Sequence, residues 1–174
     1  MRRYSVLLIG IMAFTAGCDE DPAPAPSGSL PPVFTATLTT AAEVPAPSAA
    51  EQSCSGTVRI QLNVTRANAT SPITAATADF NATIAACPTT TVIRISHIHE
   101  APVGVSGGIV VDTGIAQGDV VLTNGAGGFT KNGINVTDVN VAQRTIDNPA
   151  GFYFNIHSVA NGPGVIRGQL TKIQ

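Results

Sequence analysis

The sequence predicts an all-β fold: an antiparallel β-sandwich, Greek-key-like, with one short helix, spanning residues 33–174. Three observations predict it. Apolar residues recur with period two over many short stretches, the spacing of a half-buried strand. Turn-rich clusters of Gly, Pro, Asn and Ser separate those stretches at short intervals. The composition, with 11% charged and 44% hydrophobic residues, lacks the long runs of helix formers that an α-rich domain needs.

Val33 to Thr40 reads as the first strand. Thr57 to Arg66 alternates cleanly, placing Val58, Ile60, Leu62 and Val64 on one face. Ala76 to Ile84 does the same with Ala78, Phe80, Ala82 and Ile84. Strands are expected further at Val92–His99, Ile109–Asp112, Asp119–Thr123, Phe152–His157 and Val165–Lys172. Between them lie the turns Pro45-Ala-Pro-Ser, Gly104-Val-Ser-Gly-Gly, Asn124-Gly-Ala-Gly-Gly and Asn161-Gly-Pro-Gly. The helix starts near Val139, capped from Thr137-Asp138, and Asn148-Pro149 stops it.

Ahead of the domain the chain changes character. Arg2 and Arg3 precede the apolar run Val6–Phe14, which is too short to span a bilayer, and Thr15-Ala16-Gly17-Cys18 follows. That order marks residues 1–17 as a secretory signal. Its ending resembles a lipobox, in which the signal is cut before a cysteine that is then lipidated. Cys18 is the lipidation site on this reading, with Thr15 where the pattern usually has Leu. Residues 18–32 form a Pro/Ala-rich linker, whose extended polyproline geometry at about 3.1 Å per residue reaches roughly 40 Å. The protein is thus expected at the cell envelope, anchored to a membrane by lipid and exposed to the periplasm or cell surface.

Loss of residues 1–17 removes two of nine basic residues and none of the eleven acidic ones, leaving a net charge of −4. A mildly acidic domain is poorly suited to nucleic acid, and the lipid rather than electrostatics would hold it at a membrane. With Cys18 assigned to lipid, Cys54 and Cys87 remain, and an even pair in an oxidising compartment reads as a disulfide. Closing that loop of about 34 residues contributes roughly 3–4 kcal/mol in the chain-entropy model.

Three motifs then stand out: Ala42-Glu43-Val44-Pro45; Ser96-His97-Ile98-His99 with Ala101-Pro102-Val103-Gly104; and Phe152-Tyr-Phe-Asn155-Ile-His157-Ser followed by Asn161-Gly-Pro-Gly164-Val-Ile166-Arg167-Gly168-Gln169-Leu170. In order and spacing they resemble the chordin-type (CHRD) domain over nearly all of residues 33–170. Glu100 stands where that family commonly has Gly. The resemblance implies a β-sandwich module of secreted proteins with no established catalytic activity.

All three histidines of the chain lie in these motifs. His97 and His99, two apart on one strand, share a face. If the strand carrying His157 is their neighbour, three imidazoles converge, a donor set suited to copper or zinc. Glu43, Glu100 or Asp112 could complete or orient such a shell. His-Ile-His-Glu also resembles copper–zinc superoxide dismutase, but the further histidines and aspartate of its second metal site are missing here.

The competing reading is architectural: each ring hydrogen-bonds a loop, Glu43 and Arg167 pair across the first and last strands, and Asn155 belongs to the same framework. No nucleophile elbow, phosphate loop or Cys-x-x-Cys occurs. The sequence therefore predicts a non-catalytic module that binds a protein or polymer partner, with a mononuclear three-His metal site as the alternative.

Overall fold

The computed structural model describes residues 30–174. The signal segment, Cys18 and the linker through residue 29 lie outside the described residues. Among the described residues nine strands form one antiparallel sheet: β1 (Val33–Thr39), β2 (Ser55–Thr65), β3 (Ala75–Ala85), β4 (Ile93–Glu100), β5 (Gly108–Asp112), β6 (Gly127–Asn135), β7 (Phe152–Ser158), β8 (Ile166–Gln169) and β9 (Thr171–Lys172). Their spatial order is β5-β4-β7-β8-β1-β2-β3-β6, with β9 added against β1. The sheet curls into a nearly closed, sandwich-like barrel. Near the gap, Lys131 on β6 donates to the carbonyl of Gly114, just beyond β5, at 3.4 Å.

The even-numbered residues of the long strands fill the interior. Phe34 and Leu38 of β1, Ile60 of β2, Phe80 and Ile84 of β3, and Phe154 and Ile156 of β7 are almost wholly buried. Their centre is the tilted pair Phe80–Phe154, with ring centroids 5.9 Å apart. The alternation that the sequence displays in β2 and β3 is therefore the alternation between core and exterior. Helix α1 (Val139–Asp147) packs Val141, Ala142 and Thr145 inward, and Asp138 caps it by accepting from the Asn140 amide at 2.9 Å.

Two expected elements differ. Asp119–Thr123 is a loop, with Thr123 making only an isolated bridge to Ala126. The strand of that region is instead β6, which starts inside the expected turn Asn124-Gly-Ala-Gly-Gly and continues through Phe129–Asn135, a Gly- and Asn-rich stretch for which the sequence predicts no strand. As an edge strand with no fully buried side chain, it draws its order from backbone pairing with β3 rather than from apolar content. The last expected strand is divided at Leu170 into β8 and β9.

Cys54 and Cys87 are joined in a disulfide. It ties the turn before β2 to the end of β3, two neighbours already in register from Ser55↔Ala85 onward. Among the described residues no helix is long and apolar enough to cross a membrane.

A buried histidine cluster on the outer face of the sheet

Beyond the irregularity at Ile93/Ile95, the odd-numbered residues of β4, β7 and β8 point away from the core, yet most of them are buried as well. His97, His99, Tyr153, Asn155, His157 and Arg167 are all nearly inaccessible. Register explains their meeting: in the β4–β7 ladder His97 faces Asn155, His99 faces Tyr153 and Ile95 faces His157, while Arg167 on β8 faces Asn155 from the other side. The loop 101–107, the loop 159–165 and the turn carrying Glu43 lie over this face and supply its polar partners.

Each partner constrains a proton. The Nδ1 of His99 lies 3.0 Å from the Gly107 carbonyl, and the Nδ1 of His157 lies 2.6 Å from the Gly162 carbonyl. A carbonyl only accepts, so in both neutral rings Nδ1 carries the hydrogen and Nε2 keeps a bare lone pair. The His99 Nε2 is buried with no hydrogen-bond partner. The His157 Nε2 faces the Nδ1 of His97 at 3.2 Å, and the opposite nitrogen of His97 turns towards Asp112, 3.8 Å away. One ligand nitrogen from each ring falls within 4.8 Å of the other two. Nitrogens bound to one ion at about 2.0–2.1 Å stand roughly 3.3–3.6 Å apart, so the three rings are near enough to share an ion after closing slightly on it.

Burial keeps the rings neutral. It pushes His97 down to about 4, helped by the neighbouring His157 and opposed by Asp112. Burial likewise lowers His99 and His157, against the opposing pull of their carbonyl partners. Neutral imidazole is the form that coordinates metal.

A stack fixes the third dimension. The ring of His99 lies parallel to that of Tyr153, 2° between planes and 4.7 Å between centroids. The Arg167 guanidinium carbon sits 3.4 Å over the same tyrosine ring. Since β7 runs between β4 and β8, His99 and Arg167 cover opposite sides of the tyrosine. The Tyr153 hydroxyl accepts from the Gly107 amide at 3.1 Å, so the same residue, Gly107, holds both members of the stack through its N–H and its carbonyl.

The residues expected to support the histidines are divided by the structure. Asn155 donates to Glu43 at 3.2 Å, and Gly164 is packed so closely that a Cβ there would sit 2.6 Å from both side chains. The expected Glu43–Arg167 ion pair does not form among the described residues; Arg167 donates to the Pro102 carbonyl and to Gln169 instead, because its guanidinium is drawn onto Tyr153. Glu100 does not join the cluster. It faces helix α1 and makes a two-pronged ion pair with Arg144, both contacts 2.8 Å, which holds its carboxyl below the usual range.

Sequence reasoning passed over Tyr153 as a ring partner and missed the carbonyls of Gly107 and Gly162. It also missed Glu51, a buried carboxylate that accepts from Ser158 at 2.5 Å and from Asn161, anchoring the loop that presents Gly162. The Asn161-Gly-Pro-Gly turn signal was the available clue.

The fold and this covered polar face define a small antiparallel β module without a nucleophile–base arrangement among the cluster residues. The chain belongs to the CHRD family, a family of non-catalytic modules: the CHRD domain model matches residues 34–170. No curated protein and no solved structure matches it.

Glu43 permits a test of how this face is charged. Burial pushes its carboxyl from 4.5 up to about 7, despite the Arg167 charge and hydrogen bonds from Val44 and Asn155. An unfolded chain therefore releases this proton first, and the contribution to stability falls as pH rises from 4.5 to about 7. His97 acts with the opposite sign: the unfolded ring takes up a proton that the folded one refuses, so stability falls as pH drops from 6.5 to about 4. Glu43→Gln removes only the first slope. In chelator-treated protein, its stability relative to wild type should improve by roughly 1–3 kcal/mol across that window, measured by urea unfolding at several pH values. A pH-independent difference would show that Glu43 ionises normally.

Proposed function

We propose that this chain is an exported, lipid-anchored, non-catalytic CHRD module that holds a transition-metal ion, copper or zinc, at the cell envelope through His97, His99 and His157. One observation carries the metal assignment: three neutral rings present ligand nitrogens within 4.8 Å of one another. Two of those rings are oriented through the opposite nitrogen by the carbonyls of Gly107 and Gly162. Ligand histidines in metal sites are oriented in this way. A purely architectural role accounts for the carbonyl bonds but leaves the His99 Nε2 buried without a partner. An ion between the three rings satisfies it.

Export and anchoring rest on the N-terminal segment ending in Cys18, and the Cys54–Cys87 disulfide supports an oxidising compartment. Cys18→Ser should remove the lipid mass and shift the protein from the detergent phase to the aqueous phase on partitioning. Retention of the lipid after this substitution would contradict the anchor.

The metal assignment is tested on tag-free full chain in mild detergent, titrated with copper and with zinc. One equivalent should bind saturably, and ion at 100 times its Kd should stabilise the fold by about 2.7 kcal/mol. His99→Ala and His157→Ala should each weaken binding at least tenfold while the metal-free variants remain folded. Flat titrations to about 10 μM with both metals, alongside loss of metal-free stability in both variants, would assign the rings to architecture alone.

A further inference from the structure

The donor set of the histidine cluster carries no charge, and that narrows the ion it can hold. Resting on the three-ring metal site proposed above, we propose that the site selects the monovalent cuprous ion over divalent cations, zinc in particular.

The surroundings lead there. The rings of His97, His99 and His157 are 3%, 7% and 6% exposed, so an ion among them gives up nearly all its water. Among the described residues no carboxylate or thiolate belongs to the cluster, so its donors are three neutral nitrogens. The two cysteines of the domain are consumed in their disulfide.

The nearest acid, Asp112, lies 3.8 Å from the His97 nitrogen that faces away from His157, and its side chain is 64% exposed. Water screens it. Glu43 reaches Asn155 rather than a ring. On the other side, the Arg167 guanidinium lies over Tyr153, which is stacked on His99, and adds positive charge two layers from the ligand.

The cost of desolvating an ion grows with the square of its charge. A dication placed here pays about four times what a monocation pays, and among the described residues the buried carboxylates Glu43 and Glu51 bond Asn155, Ser158 and Asn161 rather than a ring. Coordination number points the same way. Zinc held by three histidines takes its fourth, tetrahedral ligand from water, and this cluster offers three nitrogens and little exposure to solvent. Cuprous copper is satisfied by three nitrogens, and with a filled d shell it imposes no preferred angle. Imidazole itself accommodates either metal, so charge and ligand number make the choice.

The competition is run on metal-free, tag-free full chain in mild detergent under anaerobic conditions. Copper is supplied as its acetonitrile complex with ascorbate, a reductant that contains no thiol and leaves the disulfide intact. A chromogenic cuprous chelator reports copper affinity, and a zinc-responsive chelator reports zinc affinity at the same pH. The cuprous Kd should lie at least about 100-fold below the zinc Kd, and His99→Ala should raise the cuprous Kd at least tenfold. Zinc bound as tightly as cuprous copper, with both lost in His99→Ala, would overturn the selectivity while leaving the three-ring site standing. Failure of both ions to saturate the wild-type chain would overturn the metal reading itself. Should His99→Ala fail to fold, x-ray absorption of the copper-loaded wild type decides: three nitrogen neighbours support the proposal, and any sulfur neighbour contradicts it.

Discussion

A sheet face built from histidine, asparagine, tyrosine and arginine is covered by loops, and each polar atom beneath them must then find a partner other than water. That constraint organises the functional half of the molecule. It forces the loop 101–107 to turn its Gly107 carbonyl onto His99 and its Gly107 amide towards Tyr153. It also forces the loop 159–165 to turn the Gly162 carbonyl onto His157, while Pro163 receives Asn155. These backbone groups do more than fill hydrogen-bond vacancies: by accepting one ring proton they decide which nitrogen of each imidazole is bare.

The atoms left over are informative because so few are. Among the described residues four buried side-chain atoms lack partners, and three of them, the His99 Nε2, the Glu43 Oε1 and the Asn155 Oδ1, belong to this one face; the fourth is the Thr91 Oγ1 ahead of β4. A buried polar atom without a partner costs on the order of 1–3 kcal/mol. Glu43 lessens that cost by holding its proton to about pH 7. His99 cannot, because its one proton is committed to Gly107. An ion offers its lone pair a partner. The core on the opposite side of the same strands, centred on Phe80 and Phe154, supplies the rigid backing that holds the rings in register.

Much of this was legible in the residues themselves. Period-two spacing places His97 and His99 on one face, and the clean alternation of β2 and β3 identifies their buried sides before any contact is known. Convergence with His157 depends on β4 and β7 being neighbours, a pairing about 60 residues apart in sequence that local pattern does not encode. The same holds for the Arg167–Tyr153–His99 stack, which replaces the simpler expectation of a Glu43–Arg167 ion pair. Glu100 was misplaced for a local reason: adjacent residues on a strand face opposite ways, and Glu100 follows His99 directly, so it turns to Arg144 on α1. β6 escaped notice because backbone pairing, not side-chain hydrophobicity, orders an exposed edge strand.

The central claim is that loop carbonyls set the tautomers of two rings so that bare nitrogens face a common point. Nitrogen-15 NMR of the metal-free protein, using the long-range couplings that distinguish the two ring nitrogens, measures this directly. His99 and His157 should both be neutral near pH 7, with the hydrogen on Nδ1 and an unprotonated Nε2, although free imidazole side chains favour the opposite tautomer. Finding either ring with its hydrogen on Nε2, or doubly protonated at that pH, would contradict the account.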